Sequence, residues 1–267
     1  MEAFQTYLEF SRVAFRRKAA YRFDVFTQVL ANILFLFMWL FIWLGLYQGQ
    51  NQVVGVSFRT MPSYVLVSQM LQNLHSAGTP LWEIQEQVRT GNIAVEMIRP
   101  YHYPTRLLFS DLGSIFFYFL TAVLPLYLVL MFVFQPLRPE SLLTWLTFFL
   151  SALLGYLIRH NLELTFGLFT FWLIETGGVE DIFYFSVSLF SGSLVPLWFF
   201  PAWLGKLARL LPFQGIYFIP NSIFIGDLKG PAALASLFLQ LGWVILTRLL
   251  LSFVWKQATK KIVIQGG

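Results

Sequence analysis

The sequence predicts an all-α polytopic membrane protein with about six transmembrane helices, an N-terminal interfacial helix, a cytosolic helical segment and an outer re-entrant segment. Three observations lead to this fold class. Only 12% of the 267 residues are charged, whereas soluble domains carry about 25%. Apolar runs of roughly 18 residues, long enough to cross a bilayer, recur along the chain. Basic residues cluster beside those runs, so we expect one membrane domain over residues 1–267 without a separate soluble domain.

Residues 1–23 are predicted to form a basic amphipathic helix at the membrane surface. Apolar residues recur there at helical spacing, namely Phe4, Tyr7, Leu8 and Phe15. Its aromatic side can enter the headgroup region while its basic residues stay near anionic lipid on the cytosolic side. A disordered basic leader is the alternative. No small-residue cleavage site follows the first apolar run, so we expect that run to remain in the mature protein.

Six apolar segments are predicted to cross the membrane, which leaves both termini in the cytosol. The predicted spans are residues 24–47, 61–77, 107–134, 142–174, 182–200 and 232–255. Eleven basic residues then lie in cytosolic segments and five in outer segments, in agreement with the positive-inside rule. Pro125 is expected to kink the third span, and residues 175–181 to form a short acidic cytosolic turn.

The second span is unusually polar, because it carries Gln69, Gln72 and Asn73. A helix of this kind is expected to avoid lipid. Its polar face either packs against neighbouring helices or lines a path for substrate. The sequence leaves both interpretations open.

The fourth span contains Arg159, His160 and Glu163. We interpret residues 142–174 as one long, bent crossing, because the second half has about 13 residues where a separate crossing needs roughly 17. A further crossing would also place the basic C-terminal tail outside. Arg159 and Glu163 are one helical turn apart, so we expect them to form a buried pair.

The stretch before the last span is rich in prolines and aromatic residues but has few charges. It is too interrupted to cross the membrane and too apolar for water, which is typical of re-entrant or interfacial helices. We therefore predict an outer re-entrant segment at residues 201–230. The residues singled out for it are Gly192, Pro196, Pro201 and Pro212.

Residues 82–106, here called the docking segment, are the only long internal stretch polar enough to avoid the bilayer. Apolar residues at helical spacing are interrupted once by glycine and end at proline, which predicts two short amphipathic helices with a glycine hinge. An ordinary loop is the alternative, although connections beyond roughly 12–15 residues are usually functional. The candidate docking residues are Glu83, Glu86, Arg89, Gly91, Asn92, Glu96, Arg99 and Pro100.

Several kinds of site are absent from the sequence. The chain has no cysteine, which excludes disulfides and thiolate metal sites. It has no phosphate-binding GxxxxGK[ST] loop and no HExxH pair. The net charge of +5 follows from basic residues beside the spans, and so it does not indicate a nucleic-acid partner. We expect this chain to bind no cofactor or metal and to hold no catalytic residue.

The order of these features resembles the type-2 ABC transporter permeases, and more narrowly the bacterial branch whose operons encode two related permeases and one ATPase. The resemblance covers essentially the whole chain. The motifs that carry it are Gly91-Asn92-Ile93-Ala94, Arg99-Pro100, Ser191-Gly192 with Pro196 and Pro201, Leu211-Pro212-Phe213 and Gln265-Gly266-Gly267.

The resemblance implies six spans per subunit in the bacterial inner membrane, with a second permease, homologous or identical, facing this one. Two ABC ATPase subunits on the cytosolic side would bind ATP and Mg. The docking segment would be the coupling region for the ATPase, and the outer segment would cap the transport path. The long fourth span with a buried Arg159 departs from the plainest form of this pattern.

Three functions are considered from the sequence. The first is the membrane subunit of an ATP-driven exporter for an amphiphilic or hydrophobic substrate, such as a lipid, a lipid-linked glycan or a drug, because the interior is aromatic and weakly charged. The second is an integral-membrane lipid-modifying enzyme, with Arg159, His160 and Glu163 as its polar reaction centre. The third is a structural scaffold that has no nucleotide-linked partner.

Overall fold

The computed structural model describes residues 2–20, 22–53, 56–58, 60–78, 80–134, 137–173 and 177–261. These residues are almost entirely helical, apart from a small hairpin of β1 (Gln52–Val53) and β2 (Val56–Ser57). The α-helices are α1 (Glu2–Ala20), α2 (Arg22–Tyr47), α3 (Thr60–His75), α4 (Pro80–Arg89), α5 (Ile93–Ile98), α6 (Tyr103–Tyr118), α7 (Leu124–Phe134), α8 (Leu142–Leu168), α9 (Gly177–Phe190), α10 (Ala202–Leu210), α11 (Phe218–Phe224) and α12 (Gly230–Ala258).

Four helical stretches among the described residues are long and apolar enough to cross a membrane. They are Phe26–Tyr47, Tyr103–Leu130, Leu142–Phe171 and Gly230–Lys261. This confirms an all-α multi-pass membrane protein. The helices α3 and α9 have 16 and 14 residues, fewer than the roughly 20 of an ordinary crossing. The total of six crossings therefore stays a prediction.

The helix α1 packs along α6, so the N-terminal segment is helical and not a disordered leader. The Ser11 hydroxyl donates a hydrogen bond of 2.5 Å to the Phe109 carbonyl oxygen, and the Tyr7 ring stacks on the Phe109 ring at 5.4 Å. A Cβ atom added at Gly113 would lie 2.0 Å from the Ser11 carbonyl oxygen. Glycine at this position allows the two backbones to approach, and part of the aromatic side of α1 covers α6 instead of lipid.

The helix of the third predicted span changes type immediately before Pro125, where a kink is predicted. A π-helical turn covers Phe119–Val123, and the Leu124 N–H donates to the Phe119 carbonyl oxygen five residues earlier. Proline has no N–H, and its ring clashes with the carbonyl four residues before it. The wider turn accommodates that ring, and α7 then continues the helix.

The helix α8 is continuous and lies at the centre of the molecule, packed against α12, α4 and α11. It begins at the Ser141 cap, whose hydroxyl accepts a hydrogen bond of 3.1 Å from the Thr144 N–H. A 3-10 turn, Phe169–Phe171, extends it. A single helical stretch, Leu142–Phe171, is thus present where one long fourth span is predicted, and Ile174, the last residue of that prediction, lies outside the described residues. That this stretch forms one crossing stays a prediction.

The helix α9 does not coincide with the predicted fifth span, 182–200, whose limits in the membrane stay a prediction. The helix α9 starts at Gly177, so Glu180 and Asp181 lie in the helix, where carboxylates near the N-terminus are favoured by the helix dipole. The predicted acidic turn therefore does not extend to residue 181, and Glu175 lies outside the described residues. The helix ends at Phe190 because Gly192 adopts a φ of +76°, a conformation that favours glycine.

The outer segment is built of short helices joined by bends. Pro196 and Pro201 directly precede the 3-10 turn Leu197–Phe199 and α10, and Pro212 opens the 3-10 turn Pro212–Gly215. Proline suits these places because its fixed φ is compatible with a helix start, where an N–H has no helical partner. Whether the segment re-enters the membrane stays a prediction.

Hydrogen bonds to neighbouring helices fix the outer segment in place. The Tyr64 hydroxyl of α3 donates to the Gly192 carbonyl oxygen at 2.7 Å, and the Ser68 hydroxyl donates to the Ser193 carbonyl oxygen at 3.0 Å. The Gln240 amide of α12 donates to the Gly215 carbonyl oxygen at 2.7 Å. The polar side chains of the spanning helices thus satisfy backbone groups of this irregular stretch, as an apolar environment requires.

Candidate functional site

The docking segment contains two helices, α4 and α5, separated by three residues. Gly91 lies in the turn between them with a φ of +75°, and nothing is within 4 Å of the position where a Cβ would lie. The helix-glycine-helix arrangement agrees with the sequence pattern. Glycine is needed here for its backbone conformation and not for space.

An ionic network around Arg106 joins the two helices to the start of α6. The Arg106 guanidinium lies 2.5 Å from a Glu83 carboxylate oxygen and 3.4 Å from a Glu96 carboxylate oxygen. Glu96 also pairs with Arg99 at 3.0 Å and accepts a hydrogen bond of 2.6 Å from the Tyr101 hydroxyl. Because these partly buried contacts come from both helices and from α6, they hold the docking segment in one geometry.

Aromatic residues at the end of the docking segment strengthen its attachment. Burial raises the pKa of the Tyr101 hydroxyl, and its hydrogen bond to Glu96 raises it further, so it remains a donor. Burial and the positive charge of Arg248 lower the pKa of His102. The Tyr103 ring stacks on the Trp255 ring of α12 at 5.6 Å. The segment therefore contacts α12 as well as α6.

The docking segment exposes apolar side chains as well as charged ones. Trp82 is 58% exposed and Ile98 is 85% exposed. Glu86 and Arg89 form an exposed ion pair at 2.6 Å. Large apolar side chains on a polar segment indicate a contact surface.

The predicted docking residues divide into two groups in the structure. Glu83 and Glu96 are partly buried in the Arg106 network and help to hold the segment together. The remaining six are on the surface or at its edge, namely Glu86, Arg89, Gly91, Asn92, Arg99 and Pro100. Arg106 and the exposed apolar residues are not among the predicted docking residues, although the three carboxylates and three arginines of this segment suggest internal pairing. The role of these residues in docking stays a prediction.

A second polar cluster lies on α8. A guanidinium nitrogen of Arg159 is 3.6 Å from a Glu163 carboxylate oxygen, and the two side chains are 8% and 3% exposed. His160 does not join this pair, since its Nδ1 lies 2.9 Å from an Asp111 carboxylate oxygen of α6. Gly78 makes room for that contact, because an added Cβ would lie 2.3 Å from an Asp111 carboxylate oxygen.

A cavity of about 460 Å³ lies beside Arg159. The polar face of α3 lines it through Gln69, Gln72 and Asn73, while His160 and Glu163 are not among its lining residues in the described part of the chain. The polar face of α3 therefore borders an open space. The three residues of the hypothetical reaction centre do not face that space together, so the geometry gives no support to a lipid-modifying enzyme.

One family model matches residues 33–266 of the chain, and its description is ABC-2 family transporter protein. The chain belongs to the ABC-2 transporter family. The resemblance to the type-2 ABC transporter permeases is thereby confirmed, while the narrower bacterial branch stays a prediction. This ABC-2 protein is the membrane component, or permease, of an ABC transporter, a transport subunit rather than an enzyme, and membership of the family implies association with an ABC ATPase. No curated protein and no solved structure matches the chain.

Proposed function

We propose that this permease is the transmembrane subunit of an ATP-driven exporter in the bacterial inner membrane. It moves an amphiphilic or hydrophobic substrate outward, such as a lipid, a lipid-linked glycan or a drug. A separate ABC ATPase, present in two copies, binds ATP and Mg and docks at residues 82–106. The observation that carries the proposal is a docking segment that is internally rigid yet exposes apolar side chains.

The docking segment is suited to transmit motion from the ATPase to the spanning helices. A docked ATPase can move the spanning helices only if the contact element does not deform by itself. The Arg106 network and the Tyr103–Trp255 stack connect α4 and α5 to α6 and α12. Trp82 and Ile98 supply apolar contact area, with the Glu86–Arg89 pair at the rim, which is the usual composition of a protein interface.

Contacts between chain segments support cytosolic placement of both termini. The Phe10 ring of α1 meets the Tyr101 ring at 5.2 Å, and the Trp255 ring near the end of α12 stacks on Tyr103. The N-terminal helix, the docking segment and the end of the last helix therefore share one side. On the opposite side, Trp43 at the end of α2 meets Phe199 of the outer segment at 5.1 Å.

The proposed assembly includes a second permease, homologous or identical, and surrounding lipid. The helix α2 supports this part of the proposal, because only 17% of its membrane-length window is buried within the chain. Its exposed apolar side chains are available to lipid or to a partner helix. Packing of small and apolar side chains is what holds helices together in a bilayer.

The experiment compares two exposed tryptophans. We expect Trp82→Ala to weaken co-purification of the co-expressed cognate ABC ATPase about thirtyfold or more, because truncating an interface hot spot costs about 2 kcal/mol or more. Trp203→Ala is the matched control, because Trp203 is 69% exposed on α10, in the outer segment. Equal recovery of the ATPase with both variants and the parent would contradict docking at this segment.

A further inference from the structure

We infer that the cavity beside Arg159 binds the anionic headgroup of an amphiphile, with the alkyl chain lying against α2. This inference rests on the proposed function and deepens it, since it gives the chemical class of the substrate. The shared chemistry is a phosphate or carboxylate group attached to a long apolar chain.

The charge of the cavity is the first argument. Arg159 is the one lining residue with a charged side chain among the described residues, and the others that are polar carry amides or hydroxyls. The Glu163 carboxylate offsets part of the charge of Arg159 but is not among the described lining residues, so the guanidinium is the charged group that a ligand in the cavity meets, beside neutral polar and apolar side chains. An anion is therefore the ligand that it favours.

The second argument is that Arg159 has unused donors. Its Nε has no hydrogen-bond partner, and because protein atoms cover it a ligand can reach it only after the Arg159 side chain turns. Its nearest carboxylate oxygen, on Glu163, is 3.6 Å away, which is beyond the usual hydrogen-bond range of about 2.7–3.2 Å. A guanidinium can bind a phosphate or carboxylate through two parallel N–H donors. Arg159 thus lines an open space with donor capacity that the described protein groups leave unfilled.

The third argument is the composition of the cavity wall. Gln72 and Asn73 of α3 lie on one side and can orient a polar headgroup. Phe35 and Met38 of α2 also line the cavity, and both are exposed on the surface of the chain. An amphiphile could place its head at Arg159 and its chain along these two residues. The volume of about 460 Å³ lies in the usual range for small-molecule sites, roughly 300–1,000 Å³.

The test measures binding and needs no ATPase. Purified permease in phosphatidylcholine nanodiscs is titrated with radiolabelled dodecyl phosphate. Two comparison compounds are titrated in the same way: tetraethylene glycol monododecyl ether, a neutral amphiphile of equal chain length, and inorganic phosphate. Empty nanodiscs give the background from partitioning into lipid. We expect dodecyl phosphate to bind at least about tenfold more tightly than either comparison compound, the size of a charge-assisted hydrogen bond.

Three variants identify the residue responsible. The double variant Arg159→Leu/Glu163→Leu removes the positive charge of Arg159 without leaving the Glu163 carboxylate unpaired. We expect its affinity for dodecyl phosphate to fall about 10- to 100-fold and its affinity for the neutral amphiphile to stay unchanged. Glu163→Gln is expected to tighten dodecyl phosphate binding, because the carboxylate that competes for Arg159 is gone. If the Arg159–Glu163 pair were only structural, this variant would not bind dodecyl phosphate more tightly. Arg248→Leu, on α12 outside the cavity lining, is the control and should bind like the parent.

Specific outcomes would overturn the inference. The first is equal affinity of the parent for the anionic and the neutral amphiphile. The second is a preference for the anionic amphiphile that survives in the folded double variant. The third is displacement of dodecyl phosphate by inorganic phosphate at a similar concentration, which would indicate a small-anion site. If the double variant does not fold, Arg159→Lys replaces it, and unchanged dodecyl phosphate binding in that variant would also contradict the two-donor contact. If binding follows the expected pattern but no ATPase associates, the proposed function fails and the headgroup site stands.

Discussion

The Arg159–Glu163 pair predicts that removing one charge damages the protein more than removing both. At 3.6 Å, two unit charges attract by about 4–5 kcal/mol at an effective dielectric constant of about 20. Removing one partner leaves the other charge in a buried, low-dielectric place, which costs about 3–5 kcal/mol. Replacing both with leucine is expected to be nearly neutral, because the charges no longer have to be desolvated.

The assay is the thermal stability of Arg159→Leu, Glu163→Leu and the double variant in nanodiscs, followed by size-exclusion chromatography. The single variants should melt about 6–20 °C below the parent, given roughly 2–4 °C per kcal/mol for a chain of this size. The double variant should melt close to the parent. Glu86→Leu and Arg89→Leu, singly and together, form the matched control, because this pair is exposed and its coupling should stay below about 1 kcal/mol.

The reasoning is refuted if the two single variants and the double variant at residues 159 and 163 melt within about 2 °C of one another, a spread below one kcal/mol. That result would mean that both charges reach water. If the loss of stability in the double variant equals the sum of the losses in the two single variants, the two residues act independently, and the reasoning is refuted as well.

Other predictions concern the docking segment, the N-terminal helix and the orientation. Glu96→Ala should raise hydrogen exchange across residues 80–103, because it removes three polar contacts worth about 2–3 kcal/mol together. Glu86→Ala is the control and should change hydrogen exchange little, because Glu86 belongs to an exposed ion pair. Equal hydrogen exchange in the two variants would contradict the Arg106 network. Gly113→Val should destabilise the protein by about 1–3 kcal/mol and expose α1 to protease, because the Cβ of the new side chain would clash with the α1 backbone. Unchanged digestion of α1 would contradict its packing against α6. A cysteine at Gln50 should react with an impermeant thiol reagent in intact cells and one at Lys260 should not; the reverse pattern would overturn the orientation.

The geometry of the docking segment changes how its charged residues should be tested. From the sequence, Glu86 and Glu96 are equivalent candidates for contacts at an interface rim. In the structure only Glu86 is available to a partner, while Glu96 holds Arg99, Tyr101 and Arg106. A charge reversal at Glu96 would therefore alter the docking segment itself and could not report on ATPase contacts alone.

The sequence alone determined the features that depend on short stretches of chain. An apolar run long enough for the bilayer must become a helix, because no water is present to satisfy its backbone. The disruption before Pro125, the turn at Gly91 and the continuity of α8 follow from the conformational limits of proline and glycine and from the length of a crossing. The spacing of Arg159 and Glu163 on one helix also predicts that the two side chains pair.

The contacts between distant segments were decided only by the tertiary structure. Asp111 and His160 are 49 residues apart, and Tyr64 is 128 residues from Gly192. No local pattern gives such pairs, because they depend on which helix faces meet and on how closely glycines such as Gly78 allow them to approach. The course of the chain after α9 was decided in the same way. Ser191 and Gly192 follow Phe190 directly and allow the helix to end there, but the hydrogen bonds that hold the following backbone in place come from α3, which is remote in sequence.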